Sequence, residues 1–324
     1  MRCKRITLTK VKAFTHKKII NLCKSIGMPY LPYRSYWHYR LHRTTQSPDS
    51  SDKYLGAIPN RGAGIGHQLA NWIAGLWFSK KFDCKFLHIP FSNQNWENLL
   101  GFGLNESTLK DLRKKGIIRR LPLFDESKED EVKLIRNIID SYGNKTVIFI
   151  AEQDQFYRAQ YEVMDDLKHK FYSAPARSTD KLIYDESYYN IAIHIRRGDI
   201  LADPSNPNLS MRFLANDYYI NVLTQTLQRI HQSKPIRIYI FSQGVQTDFP
   251  EFSTFDNIIW CLDMDQYNSF IHLVYADCLI TSKSSFSYKP ALINNGIKVC
   301  PLNFWHDYPS TEDWIMADDY GNLK

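Results

Sequence analysis

The 324-residue chain is 44% hydrophobic and 23% charged, a globular balance that excludes a disordered chain and gives enough length for two domains of ordinary size. Its net charge of +7 is uneven: residues 1–48 hold eleven Lys or Arg and no Asp or Glu, which leaves −4 on the remainder. A nucleic-acid binder carries its basic field on the folded body, so that class is set aside and no nucleic-acid partner is expected.

The leading segment, residues 1–43, interleaves Lys and Arg with aromatic and apolar side chains. A segment resting on an anionic membrane has that pattern, and so does a basic surface helix with a tail. No run of about 20 apolar residues predicts a transmembrane helix, and no apolar stretch follows the charged start as a secretory signal requires. Cysteines at 3, 23, 84, 261, 278 and 300 form no CxxC pair. Their scatter argues against a zinc module or disulfide framework and for a reducing, cytoplasmic compartment, where the basic leader would give peripheral contact on the inner membrane face. "TTQSPDSSD" at 44–52 reads as the linker that closes this leader, so the expected division is 1–52 leader and linker, 53–178 first domain and 179–324 second domain.

A glycine turn, "NRGAGIGHQ", then opens a stretch with helical apolar spacing, "LANWIAGLWFSKKF". "CKFLHIPF" and "KTVIFIAEQDQF" predict strands, and "AQYEVMDDLKHKFY" predicts a helix that is acidic early and basic late. The second half alternates regularly. "YYNIAIHI", "IRIYIFS", "DCLITS" and "IKVCPL" are strands; "ANDYYINVLTQTLQRIHQ", "NSFIHLVYA" and "SFSYKPALINNG" are helices between them. Such alternation implies an α/β fold with parallel sheets, whose ligands sit at the carboxyl ends of strands.

Three strand ends carry polar chemistry. His194-Ile195-Arg196-Arg197-Gly198-Asp199 follows a β-branched strand, and an arginine there offers phosphate a planar, permanently charged fork. Side-chain alternation puts His194 and Arg196 on one side and Arg197 on the other, which selects Arg196 for a ligand and leaves Arg197 and Asp199 to hold the turn. A surface salt-bridge cluster is the plainer reading of the same residues, and Arg197-Gly198-Asp199 also spells a cell-adhesion tripeptide. Ser284 and Ser285 stand at the mouth of a predicted helix, where hydroxyls and free amides form an anion site or simply an N-cap. Ser242, with Gln243 and Gly244, ends a third strand on that edge. Glycines 62, 64 and 66 fit neither a P-loop nor GxGxxG, and the turn they make lets a backbone approach something closely. Asp263-x-Asp265 has the spacing by which metal-dependent glycosyltransferases hold a divalent cation. That alternative, and a non-enzymatic binding protein, stay open at this point.

Together the pieces resemble the α1,2-, α1,6- and protein O-fucosyltransferase superfamily, and most nearly the bacterial-type α1,2-fucosyltransferases of glycosyltransferase family 11. The resemblance rests on His194-x-Arg196-Arg197-Gly198-Asp199, on Ser284-Ser285-Phe286-Ser287, on Gly64-Ile65-Gly66-His67-Gln68 and on "EQDQFYRAQYEVMDDLKHKF", in that family's order over residues 60–295. It implies a GT-B architecture of two Rossmann-like domains facing across a cleft, with GDP-fucose held mainly by the second. It further implies inverting, metal-independent transfer of L-fucose from GDP-β-L-fucose to a glycan hydroxyl, α1,2 to galactose in the nearest relatives. Under it Arg196 grips the diphosphate with His194 close by, and Ser284 and Ser285 contact phosphates or fucose. The turn bearing Gly64, Gly66, His67 and Gln68 reaches in from the first domain. The chain departs from the pattern at His67, where Asn is usual, at Ser269, where Asp is usual, and at "SYKPA", where "SWWAA" is usual. No general base stands out; Glu152 and Asp154 follow a strand but read as structural.

Overall fold

Two parallel sheets organise the chain. The computed structural model describes residues 18–23, 25–42, 53–151, 157–202, 205, 207, 211–231 and 233–324. Residues 1–17 and 43–52 of the leader, and Glu152 and Asp154, lie outside that set. The chain divides into two compact units, one of 1–59, 71–89 and 105–157, the other of 60–70, 90–104 and 158–324. The segments 60–70, 90–104 and 158–178, which the sequence assigns to the first half, therefore belong to the second unit.

In the first unit, strands β1 (Lys53–Ala57), β2 (Lys85–His88), β3 (Ser107–Thr108), β4 (Ile117–Arg120) and β5 (Val147–Ala151) align in the order β3-β2-β1-β5-β4, every neighbouring pair parallel. All five residues of β5 are buried, the mark of a strand covered on both faces. The part of the leader at Arg34–Leu41 is not a free tail. It is a helix docked on this unit, with buried Ser35 donating to the Arg120 carbonyl at 2.6 Å and the His38 ring stacked on Tyr142 at 3.7 Å. Burial, then His42, Lys145 and Arg119, push the His38 imidazole down to about 4, so it docks uncharged.

In the second unit, β6 (Tyr189–His194), β7 (Ile236–Ser242), β8 (Ile258–Leu262), β9 (Cys278–Ile280), β10 (Ile297–Pro301) and β11 (Trp314–Ala317) align as β11-β10-β9-β6-β7-β8, again all parallel. The chain runs outward through β6, β7 and β8, returns to lay β9 beside β6, and runs outward the other way through β10 and β11. This is the strand order of the doubly wound nucleotide-binding fold, whose ligand crevice opens where the direction reverses, here between β6 and β9. Ile191, Ile193, Ile238, Ile240, Cys278, Ile280 and Val299 fill the core beneath that edge, none more than 3% exposed. Among the described residues no helix is long and apolar enough to cross a membrane.

Candidate functional site

The register between β6 and β9 sets Ile193 opposite Ile280, and the two chains stay in step after their strands end. His194 Nδ1 lies 2.9 Å from Ser282 Oγ, and Arg196 donates from a terminal guanidinium nitrogen to Ser284 Oγ at 3.0 Å. The switch-point crevice thus brings together the two motifs that the sequence places 88 residues apart. Burial, then the Arg196 charge, push the His194 imidazole down to about 3, so it stands neutral beside the guanidinium. Its ring also packs against Phe286, centroids 5.4 Å apart.

Ser284 fills the N-cap role, one of the two that the sequence leaves open. As N-cap of the helix Ser285–Ile293 its Oγ accepts the Phe286 amide at 3.2 Å, and the same oxygen accepts Arg196. Ser285 is the first residue of that helix and is 6% exposed. A guanidinium beside a helix start combines a full positive charge with the partial charge of free amides, a combination suited to phosphate oxygens.

Arg197 turns the other way, as the alternation requires. It is 7% exposed and donates to the carbonyls of Arg196 and Leu214 at 2.9 and 3.1 Å, and to the Asn216 side chain at 2.5 Å. Its guanidinium also lies 4.9 Å from the Phe213 ring. An adhesion tripeptide must present its arginine to a receptor, so this burial removes the adhesive reading. The side chain of Asp199 lies outside the described set.

The glycine turn meets the crevice from within the same unit. An added Cβ on Gly66 would lie 2.7 Å from the Ser285 carbonyl carbon. The close approach anticipated for this turn is therefore to the helix start itself; at Gly64 nothing lies within 4 Å of such a Cβ. Gln68 is 3% exposed and both ends of its amide are engaged: Nε2 donates to the Ala63 carbonyl at 2.8 Å, and Oε1 accepts the Ser92 amide and hydroxyl at 2.8 and 3.0 Å. Ser242 donates to the Ile195 carbonyl at 2.9 Å. Both were expected on a ligand, and in the fold both tie the loops that carry the site.

His67 is half-buried, and burial, then Arg212, Lys289 and Arg196, push its imidazole below the ordinary value. Lys289, within the "SYKPA" departure, is 1% exposed and donates to the Gln160 side-chain carbonyl. Arg212 lies over the Trp305 ring at 4.8 Å. Neither is singled out by the sequence reading. The available signal for Lys289 is its position four residues after Ser285, which puts both on one helix face; Arg212 sits in a loop, where no periodicity points to it.

The Asp263-x-Asp265 pair does not form a chelating face. β8 ends at Leu262, Asp263 takes a left-handed φ of 55°, and Asp265 caps the helix Gln266–Tyr275 by accepting the Tyr267 and Asn268 amides at 2.9 and 3.1 Å. The strand geometry that would align two carboxylates has stopped before they begin. Among the described residues no group of three or more His, Cys, Asp or Glu side chains is gathered as a metal ion requires.

No family model matches the sequence, and no curated protein matches it. Among solved structures the chain is similar to a point mutant of Arabidopsis thaliana FUT1 in complex with GDP, at 11% identity over 90% of this chain and 78% of that one, TM-score 0.46. It is similar to NodZ α1,6-fucosyltransferase co-crystallised with GDP, at 11% identity over 87% and 98%, TM-score 0.45. A third is POFUT1 in complex with GDP, at 10% identity over 78% and 99%, TM-score 0.44.

Proposed function

We propose that the protein is a glycosyltransferase that moves L-fucose from GDP-β-L-fucose to a hydroxyl of a glycan acceptor, with inversion and without a metal ion, galactose O2 being the acceptor position. The observation that carries this reading is the Arg196–Ser284 contact at the β6/β9 switch point, in a chain whose motifs resemble those of fucosyltransferases. Arg196 grips the diphosphate, and the start of the helix Ser285–Ile293 supplies amides and the Ser284 and Ser285 hydroxyls. Neutral His194 sits beside them as a hydrogen-bonding group. As the glycosidic bond to GDP breaks, negative charge grows on the leaving diphosphate, and a preorganised cation aimed at it lowers the barrier by roughly 3–4 kcal/mol. The turn with Gly64, Gly66 and His67 completes the donor side, while Gln68 and Ser242 hold its loops. A GT-B arrangement, with the first unit on the acceptor side, suits two parallel-sheet units. The basic leader gives peripheral contact with an anionic membrane on its cytoplasmic face, which suits a lipid-linked or surface polysaccharide acceptor.

The test is a panel of GDP-fucose, GDP-mannose, UDP-galactose and UDP-N-acetylglucosamine offered to the purified protein. Selective binding and slow hydrolysis of GDP-fucose is the expected result. Preference for a uridine sugar would overturn the assignment.

A further inference from the structure

The exposed apolar side chains of the protein are not evenly scattered. Among the described residues nearly half of the large ones lie between Ile19 and Leu41 or on β4, whereas apolar residues that merely share a surface with polar ones occur singly. Both segments belong to the first unit.

The helix Arg34–Leu41 shows the pattern. Buried Ser35 and the stacked His38 fix its inward face. At about 100° per residue the opposite face carries Arg34, Trp37 and Leu41, with Arg40 at its border. Trp37 is 46% exposed and Leu41 74%. Trp37 Nε1 donates to the Leu31 carbonyl at 2.9 Å, which holds the ring in place and leaves it open to solvent. The helical turns before it repeat the arrangement. Residues 18–23 are helical, and the Ile26 amide donates to the Leu22 carbonyl at 3.2 Å. Ile20 is buried, while Ile19, Leu22 and Ile26, spaced three and four apart on one face, are exposed. A helix facing water turns its polar residues outward; these turn apolar ones.

The helix Arg34–Leu41 lies against the open edge of the first sheet, where β4 is the last strand. The Ile117 and Leu121 amides donate to the Thr146 and Ile150 carbonyls, both at 3.0 Å, on the β5 side. The backbone groups of Ile118 and Arg120 therefore face outward. Ser35 engages the Arg120 carbonyl, and the Arg119 guanidinium donates to that of Ile118 at 2.9 Å. Both outward carbonyls are thus occupied, which blunts the edge against strand addition.

The same edge is cationic. Residues 110–120, "KDLRKKGIIRR", hold six Lys or Arg and one Asp, and the Asp111 carboxylate accepts the Thr108 amide and hydroxyl at 3.2 and 2.6 Å. Lys110, Arg113, Lys114 and Lys115 are exposed and make no ion pair among the described residues. Cations by themselves keep a sheet edge from pairing. They do not account for Ile117 and Ile118, each 38% exposed between Lys115 and Arg119.

Charge selects what covers these side chains. A second copy across a twofold axis would bring like cations together. An anionic bilayer accommodates both parts: apolar side chains enter the acyl boundary while Lys and Arg stay among the headgroup phosphates.

We infer that the first unit docks on an anionic phospholipid surface through its β4 edge, where Lys114, Lys115, Ile117 and Ile118 act together with Trp37 and Leu41 of the leader; this deepens the membrane contact proposed above for the leader and rests on it. With that edge toward the bilayer, the strands of the first sheet run along the membrane plane. Their carboxyl ends then open sideways at headgroup level, where a lipid-linked glycan stands.

Flotation of the full chain tests this, with vesicles of phosphatidylcholine alone and of phosphatidylcholine mixed with phosphatidylglycerol. The protein is expected to float with the mixed vesicles only, and less as salt is raised. Near such a surface each cation is worth about fivefold in partitioning, so Lys114→Gln/Lys115→Gln should lower it roughly twenty- to thirtyfold. Leu41→Ser should lower it about tenfold. All three residues are exposed, and melting temperatures report the fold of each variant. If folded Lys114→Gln/Lys115→Gln partitions like wild type, the β4 edge does not face the membrane and the proposal fails, while the leader contact stands. Absence of flotation by the wild-type protein overturns both. A concentration-dependent dimer in vesicle-free buffer that Leu41→Ser dissociates would assign the face to a second copy instead. GDP-fucose hydrolysis is measured in that same buffer, where both variants should match wild type, so membrane docking and the transferase assignment stand or fail separately.

Discussion

Gly66 passes so close to Ser285 that an added Cβ would lie 2.9 Å from the Ser285 Cβ and 2.9 Å from the Phe286 amide nitrogen. The obstacles include backbone, so a methyl group at this position must move the helix start rather than a side-chain tip. Gly66→Ala is expected to lower stability by about 1–3 kcal/mol and to weaken GDP binding, because the displaced element carries Ser284 and Ser285. Urea denaturation and calorimetric titration with GDP check the two effects. Gly64→Ala, with open space around it, should stay within about 0.5 kcal/mol of wild type in the same denaturation.

Arg196 and its chain neighbour separate ligand binding from folding. Removing a charged hydrogen-bonding group costs about 1.5–3 kcal/mol, so Arg196→Ala should raise the Kd for GDP by roughly ten- to a hundredfold. Arg196→Lys keeps the charge but not the planar fork, and should fall between. Arg197→Ala should instead lower stability by at least about 1.5 kcal/mol, because it strips partners from the carbonyls of Arg196 and Leu214. A GDP Kd unchanged in Arg196→Ala would remove the diphosphate role.

The part of this site readable from sequence is the part governed by short-range rules. Period-two alternation puts Arg196 and Arg197 on opposite sides, and an Ile-rich run marks β6 as buried. Residues assembled by long-range packing left no such trace. Lys289 and His306 meet through the β10–β11 connection, and Arg212 arrives from a loop over Trp305. Gln68 and Ser242 sit where ligand contacts were expected, and their partners, backbone groups and for Gln68 also the Ser92 hydroxyl, are ones that only the folded loops bring near. In the fold, β4 reads "IIRR" and has three exposed residues, so its pattern lacks the alternation that reveals a half-buried strand. The helix Arg34–Leu41 has a basic sequence suited to a leader, and its docking depends on Ser35 and His38, residues with no apolar periodicity to announce it.

Acid should destabilise the fold in a way traceable to His194. Its folded value is depressed to about 3 against an ordinary value near 6.5. Between those limits the unfolded chain binds a proton that the folded chain refuses, so stability increases with pH and is lost on acidification below about 6.5. One such group contributes a slope of up to about 1.4 kcal/mol per pH unit. His194→Gln should flatten the stability profile between pH 6 and pH 4.5 by about that amount, measured by urea titration. Equal slopes in the two proteins would mean that His194 is protonated in the fold. His306, also depressed, acts in the same direction and remains in both.

Asp265 gives the sharpest distinction between a metal-dependent and a metal-independent transferase. Its carboxylate accepts two amides at the start of the helix Gln266–Tyr275 and the side-chain amide of Asn268 at 2.5 Å, the work of an N-cap. Asp265→Ala should therefore lower stability by about 0.5–2 kcal/mol, while Asp265→Ser, which still caps, should restore most of it. Hydrolysis of GDP-fucose should persist in EDTA and in Asp265→Ser, because a hydroxyl replaces a capping carboxylate but not a ligand of a hard divalent cation. If chelation abolished turnover and Asp265→Ser did the same while keeping its melting temperature, the carboxylate would be holding a cation, and charge stabilisation by Arg196 alone would not suffice.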